Sequence, residues 1–257
     1  MNMAVSIKNQ IRDFAPLFLR RSIRRLKADI RDRRNRRLTA KEVFTRIYRE
    51  KMWGNGAGTF YSGPGSDAEA AQPYADFVTS FIAKHNIRSV VDLGCGDFRV
   101  GRMIASCGVD YTGVDVVEAL IEENNRCHAN ETINFQCLDI AHDPLPNAEL
   151  CLIREVFQHI SNAQISATLS KLRQYDYVLF TDIQPEVTSD YKINKDKPHG
   201  ASSRILQTSF LRLEAPPFNV GNIALVFETA PPYFKSYAPY GSSFKLRTFL
   251  IRPAANP

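Results

Sequence analysis

From Ile7 to Ile30 the apolar residues step by three and four: Ile7, Ile11, Phe14, Leu19, Ile23, Leu26 and Ile30. That is the period of one helix face. Pro16 divides it into two segments, and the opposite face is almost all arginine. In TAKEVFTRIYRE (39–50), Thr39 and Glu42 stand in capping-box positions, so a further helix starts there. WGNGAGTFYSGPGS (53–66) holds too many turn formers for regular structure.

From about Asp67 short apolar runs alternate with helical stretches. A helix (67–85) precedes the strand RSVVDL (88–93), and another opens at Arg99. YTGVDV (111–116) is the next strand and Glu118–His128 the next helix. INFQCLDI (133–140) and ELCLIRE (149–155) read as strands, NAQISATLSKLRQY (162–175) as a helix and DYVLFTD (176–182) as a strand. NIALVFET (222–229) and FKLRTFLIR (244–252) close the series with no helix between them. This alternation predicts an α/β fold: a Rossmann-like, doubly wound, mostly parallel sheet of seven strands with helices on both faces. The last two strands lack a crossover and are expected to pair antiparallel at the edge. The segment 184–219 has no clear period, and the chain shows no internal repeat.

Charge divides the chain in the same place. Residues 1–51 carry 16 of the 33 Lys+Arg and 5 of the 27 Asp+Glu, so the net charge of +6 belongs to the arm and the rest is acidic. The expected organisation is a basic amphipathic helical arm over 1–51 and one α/β domain over 52–257. No apolar run approaches a membrane span, and no signal-type stretch follows the start. The five cysteines (Cys95, Cys107, Cys127, Cys137, Cys151) form no C-x-x-C pair. Each lies within or beside a predicted core element, which predicts buried thiols and a cytosolic setting.

VVDLGCGDFRVG (90–101) is a strand, a glycine turn and a helix, placed where open α/β sheets bind ligands. Gly94 and Gly96 let the backbone approach a ligand closely. Asp115, 23 residues beyond Asp92, is placed to hold a ribose hydroxyl pair, and Asp139 to accept from an adenine amino group. A pyrophosphate would need a small residue at position 99, which is Arg99, so a nicotinamide dinucleotide is disfavoured. Asp97 would repel phosphate and suits an α-amino group. Together these residues point to an adenosine carrying an amino acid, S-adenosylmethionine.

VVDLGCGDF, GVDVV, CLDI and LIREVFQHI, in that order, resemble the successive motifs of class I S-adenosylmethionine-dependent methyltransferases over about residues 67–252. The resemblance implies that Asp92, Gly94, Cys95 and Gly96 line the methionine part and that Asp115 with Val116 binds ribose. Asp139 and Ile140 would then bind adenine, with Arg154 and Glu155 beneath the cofactor. Phe98 stands where that family often has a third glycine. WG…SGPGS, CGDF, FQHI and PPFN also resemble a bacterial subgroup of small stand-alone methyltransferases.

Methyl transfer is an in-line displacement that alignment and a dry pocket can accelerate. A hydroxyl acceptor would also need a base. His159 is the candidate base, with capping of its turn as the equal alternative. Asp182, read as ending the fifth strand, is the candidate for holding the acceptor. Trp53 and the SGPGS turn are expected to fold over the cofactor as a lid, with a simple connector as the alternative. Tyr233, Phe234, Tyr237 and Tyr240 could wall the acceptor or pack on one another. APPF (215–218) and APPY (230–233) fall too late in the order for a nucleic-acid base clamp and read as rigid turns near the acceptor. Asp139, His142 and Asp143 read as a polar loop rather than a metal site. The expectation is transfer to a small-molecule or saccharide acceptor at oxygen. The alternatives are a non-catalytic adenosyl-ligand or RNA-binding protein, or a nucleic-acid base methyltransferase. The arm suits an anionic membrane surface at the inner face more than nucleic acid, since it has few aromatics for stacking.

Overall fold

The computed structural model describes residues 33–56, 58–234 and 243–253, with Ser22, Ile23, Leu26 and Ile30 besides. Most of the arm, Tyr237 and Tyr240 lie outside the described residues. Numbered from the first helix with both ends described, the helices are α1 (Ala40–Arg49), α2 (Ala68–His85), α3 (Arg99–Ala105), α4 (Glu118–His128) and α5 (Asn162–Lys171). The strands are β1 (Ser89–Leu93), β2 (Asp110–Asp115), β3 (Ile133–Cys137), β4 (Leu150–Arg154), β5 (Tyr177–Pro185), β6 (Lys192–Ile193), β7 (Ser209–Phe210), β8 (Ile223–Thr229) and β9 (Phe244–Ile251).

Seven strands form one sheet in the order β3-β2-β1-β4-β5-β9-β8, and β6 and β7 form a separate parallel pair. Strands β1 to β5 are parallel, and β9 runs antiparallel to both β5 and β8. The antiparallel pair thus makes the edge, with β9 one place in and β8 outermost. Alternate side chains feed two cores, as strand geometry requires. Val90, Leu150, Leu152 and Leu179 face α2 and α3 through Tyr74, Val78, Phe81 and Ile104. Val91, Leu93, Cys151, Ile153, Val178 and Phe180 face α5 through Ile165.

Two capping boxes fix helix starts. Thr39 Oγ1 accepts from the Glu42 amide while Glu42 accepts from the Thr39 amide, and Ser161 and Gln164 do the same for α5. Although it lies on the arm side of residue 51, α1 packs on the body, burying Ala40, Val43 and Ile47. Lys41 Nζ reaches Glu118 on α4 at 2.7 Å.

All five cysteines are free thiols. The expectation that all are buried holds for Cys95 and Cys151 only. Cys107, Cys127 and Cys137 are exposed, because they fall at helix ends and on the outward face of β3, an edge strand.

Candidate functional site

The order of the sheet reverses between β1 and β4, and a cavity of about 260 Å³ opens over the strand ends there. The register aligns those ends: Leu93 lies beside Val114, Asp115 beside Cys137 and Asp92 beside Leu152. Asp92, Gly94, Cys95, Gly96, Asp97, Asp115, Val116, Asp139, Ile140 and Arg154 all line the cavity. The motifs therefore meet in space.

The glycine turn is fixed by two amides, Gly94 and Cys95, donating to the Val114 carbonyl at 2.7 and 2.9 Å. Gly94 has φ +83° and a Cβ there would strike Val156, so a side chain is excluded on both counts. Gly96, at φ +54°, leaves room for Ser62, whose hydroxyl a Cβ would hit.

Each acid is held by its surroundings. Asp115 accepts from the Gly96 amide at 3.2 Å and the Val117 amide at 3.1 Å. Burial nonetheless pushes its carboxyl up to about 6. Asp92 accepts from the Tyr111 hydroxyl at 2.6 Å and is likewise raised by burial to about 6. Asp139 accepts from the Ala141 amide at 2.9 Å and lies 3.0 Å from His142 Nδ1, while its own amide donates to Asp143 at 2.8 Å. Asp97 is already engaged: it accepts from the Ser62 amide at 3.0 Å and pairs with Arg99 Nε at 3.2 Å. Its amide donates back to Ser62 Oγ at 2.8 Å, clamping the SGPGS turn to the glycine loop. Arg99 also reaches Asp67 at 3.4 Å and lies over the Tyr61 ring, so it serves the loop and not a phosphate.

Among the described residues lining the cavity, five carboxylates (Asp92, Asp97, Asp115, Asp139, Glu155) face one guanidinium, Arg154. Arg154 donates to the Gly65 carbonyl at 2.9 Å, pairs with Glu155 at 3.2 Å and lies over the Tyr74 ring. Glu155, in the left-handed region at φ +57°, also accepts from the Tyr233 hydroxyl at 3.1 Å.

Trp53 lines the cavity and donates to the Ala201 carbonyl at 3.2 Å, with its ring 5.2 Å from that of His159. His159 is also in the wall, with Nδ1 3.2 Å from the Gly200 carbonyl and a second backbone hydrogen bond at Ser202. Burial, with Lys197 next in weight, pushes its imidazolium down to about 3. The ring is therefore neutral and a feeble proton acceptor.

Asp182 is not in the cavity wall. Pairing with β9 carries β5 on to Pro185, so Asp182 lies inside the strand instead of at its end. It is buried, Oδ1 accepts from the Ile183 amide at 2.7 Å, and burial raises it to about 8. Tyr233 reaches the cavity, but Phe234 turns into a third core with Ile183, Ile205, Phe210 and Leu246. Tyr237 lies outside the described residues. APPF does not line the cavity; Asn194 Nδ2 donates to the Pro216 carbonyl at 2.9 Å and ties that turn to the β6–β7 unit.

Sequence reading missed several wall residues: Ala40, Phe44 and Tyr48 on α1, and Gln158, Ser203 and Leu206 beyond β4 and β5. The capping box marked α1 as a helix, but nothing local marked which of its faces meets the glycine loop. Tyr48 does so through Ser62 Oγ at 2.9 Å.

Residues 90–175, which span β1 to α5, match the model of a family described as a methyltransferase domain. No curated protein matches the chain. Magnesium protoporphyrin IX methyltransferase from Synechocystis PCC 6803, crystallised with SAM, is 13% identical over 84% of this chain and 99% of that one, with TM-score 0.50. Geranyl diphosphate C-methyltransferase from Streptomyces coelicolor A3(2), crystallised with Mg2+, geranyl diphosphate and S-adenosyl-L-homocysteine, is 11% identical over 71% of this chain and 78% of that one, with TM-score 0.50. Human N-acetylserotonin methyltransferase aligns over 85% of this chain at 15% identity and TM-score 0.46, and the chain spans 61% of its length. The first two likenesses show a shared fold, the Rossmann-like methyltransferase fold.

Proposed function

We propose that the protein is an S-adenosylmethionine-dependent methyltransferase acting at oxygen on a small-molecule or saccharide acceptor. One observation carries the reading: carboxylates from three adjacent strand ends converge on a cavity that holds a single guanidinium among the described residues. Such a field favours a cationic, hydroxyl-bearing ligand and opposes a polyphosphate. Solved proteins of this fold hold SAM or S-adenosyl-L-homocysteine, which supports the same cofactor here.

Asp115 would hold the ribose hydroxyls, Asp139 and Ile140 the adenine edge, and Asp92 with the 94–96 turn the methionine portion. The cofactor, when bound, supplies the methyl group on a sulfonium. The chain's own part is alignment and exclusion of water, through Trp53, the SGPGS turn and α1. His159 serves better as a neutral wall than as a base. The arm, where Ile23, Leu26 and Ile30 are exposed, suits peripheral contact with an anionic membrane face from the cytoplasmic side.

Calorimetry with S-adenosylmethionine, S-adenosyl-L-homocysteine and the nicotinamide dinucleotides tests the reading. The first two are expected to bind and the dinucleotides are not; equal or reversed preference rejects it. Tritium transfer from labelled cofactor to a hydroxyl and saccharide panel then separates an enzyme from a binding protein. Vesicle flotation with and without residues 1–38 tests the arm.

A further inference from the structure

Helix α1 supplies the wall of the cavity that faces the strand tips. Ala40, Phe44 and Tyr48, spaced by four, set one helix face along it. Ala40 stands near Asp139, with which it also lines a neighbouring hollow. At the other end the Tyr48 hydroxyl meets Ser62 Oγ at 2.9 Å, and Ser62 Oγ accepts from the Asp97 amide in the glycine turn. The helix thus runs from the acid assigned to adenine to the turn assigned to methionine. A cofactor seated on the strand tips lies beneath it.

The attachment of α1 differs from that of the sheet. Its buried Val43 and Ile47 join none of the three apolar clusters of the described residues, and Phe44 alone packs against one. Two polar ties flank the helix, and both run to one short loop. Ahead of it, Asn35, 1% exposed, donates from Nδ2 to the His199 carbonyl at 2.9 Å. Asn35 Oδ1 accepts from Arg46 on α1 itself. Exchanging the amide atoms would set nitrogen against guanidinium and oxygen against carbonyl, so this orientation is required. Behind the helix, Trp53 Nε1 donates to the Ala201 carbonyl at 3.2 Å. The loop is anchored in turn, since the Gly200 amide donates to the His159 carbonyl at 2.8 Å. Residues 35–53 therefore form a strap across the cavity, with both ends pinned to 199–201. A segment held mainly at its ends opens at lower cost than the packed strands beneath it.

We propose that this strap gates the exchange of S-adenosylmethionine for its product, and that Asn35, which lies outside the cavity wall, is the residue that positions it. The inference rests on the methyltransferase reading and adds how the ligand enters and leaves. Asn35 bonds to the strap and the loop and not to the ligand, so its bonds are the same with the cavity full or empty. Their loss speeds entry and exit by one common factor and leaves the equilibrium in place. A residue that merely shapes the wall would change affinity instead.

The test uses the full chain and S-adenosyl-L-homocysteine, followed by stopped-flow fluorescence of Trp53, the single tryptophan. The observed rate plotted against ligand concentration gives entry as the slope and exit as the intercept. Asn35→Ala should raise both by about fivefold or more, the weight of one buried hydrogen bond. Its Kd should stay within about twofold of the parent's, because the site is out of contact with the ligand. Hydrogen exchange read by mass spectrometry should quicken in α1 by a similar factor and stay unchanged in β1 and β4. Should Asn35→Ala fail to fold, Arg46→Met decides by the same two measurements. It removes the partner of Asn35 on α1, also lies outside the cavity wall, and should speed both rates by about two- to threefold. Unchanged rates, a rise in exit alone, or faster exchange throughout the sheet in the deciding variant overturns the gate. Failure of the unaltered protein to bind S-adenosyl-L-homocysteine instead overturns the methyltransferase reading, and the gate falls with it.

Discussion

The two halves of the cavity differ in how their polar groups are satisfied. Over β1, β2 and β3 each carboxylate is anchored by its own neighbourhood: Asp115 by two backbone amides, Asp139 by one amide and an imidazole, Asp92 by a phenol. Over β4 the groups come from distant segments (Gly65, Glu155, Gln158, Ser203, Tyr233), and Arg154 Nε, Gln158 Oε1 and Ser203 Oγ there have no partner among the described residues. The first half is built by sheet register, with its acids tied to backbone amides and a phenol. The second is assembled by loops, the part of a fold that changes most freely with the ligand it serves. A constant cofactor and a particular acceptor ask for this division of labour.

The largest expected effect breaks the first half alone. Asp115→Asn keeps the shape but removes the charge and turns one acceptor into a donor facing a backbone amide. We expect S-adenosylmethionine affinity by calorimetry to fall by about 3 kcal/mol, roughly 100-fold, since one partner of a buried charged hydrogen bond is lost. A change under about threefold would detach Asp115 from the ligand.

Acid should weaken the same half without mutation. Burial raises Asp92 and Asp115 to about 6, above the ordinary carboxylate value. Their ionisation therefore opposes folding of the empty protein, which gains stability from them as pH falls below 6 and loses it as pH rises through 6. A cationic ligand needs the ionised forms, so affinity moves the other way. From pH 7 to pH 5 it should drop about tenfold for each such carboxylate in contact with the ligand. Correspondingly, the gain in Tm on adding cofactor should shrink. A pH-independent affinity would show that the ligand's charge is not what these acids hold.

The contrast also explains what the chain discloses unaided. β1 to β5 and the residues at their tips are legible because a strand, a glycine turn and an acid at fixed spacing are local patterns. The β4 half is not, because Gln158 and Ser203 reach one cavity wall only through the fold of 184–219, a segment with no period. Its small β6–β7 pair and the buried Arg204, which donates to the Ile160 carbonyl at 2.8 Å and to Asn162 Oδ1 at 2.9 Å, are tertiary solutions with no sequence signature. Asp182 was misplaced for a related reason. Strand length is set by its partner, and β9 pairs along β5 as far as Pro185.

A smaller effect probes the strap across the first half. Ser62 Oγ accepts from the Asp97 amide at 2.8 Å and meets the Tyr48 hydroxyl at 2.9 Å, so Ser62→Ala loosens α1 and the SGPGS turn together. Both hydrogen bonds are lost, each worth about 1 kcal/mol to the strap, and if about half of that reaches the cofactor its affinity should fall about fivefold. Trp53, the chain's single tryptophan, lies in the cavity wall and gives a fluorescence readout of the same titration. If Ser62→Ala binds as the parent does, the turn is a connector and the first half needs no strap.

The smallest effect concerns the boundary between the halves, where His159 packs on Trp53. Its imidazolium is pushed down to about 3, chiefly by burial, with Lys197 next in weight. Between pH 8 and pH 5 it should stay neutral, so one imidazole carbon signal, absent from His159→Gln, should not move over that range. A ring that neutral cannot serve as an efficient base, because its conjugate acid holds a proton too weakly. His159→Gln should therefore leave cofactor affinity within about twofold and turnover within about tenfold, well short of the ~10²- to 10⁴-fold loss that removal of a general base brings. A signal that titrates between pH 6 and pH 7, together with a turnover loss of that larger size, would make His159 the proton acceptor and move the chemistry of the acceptor half from alignment to base catalysis.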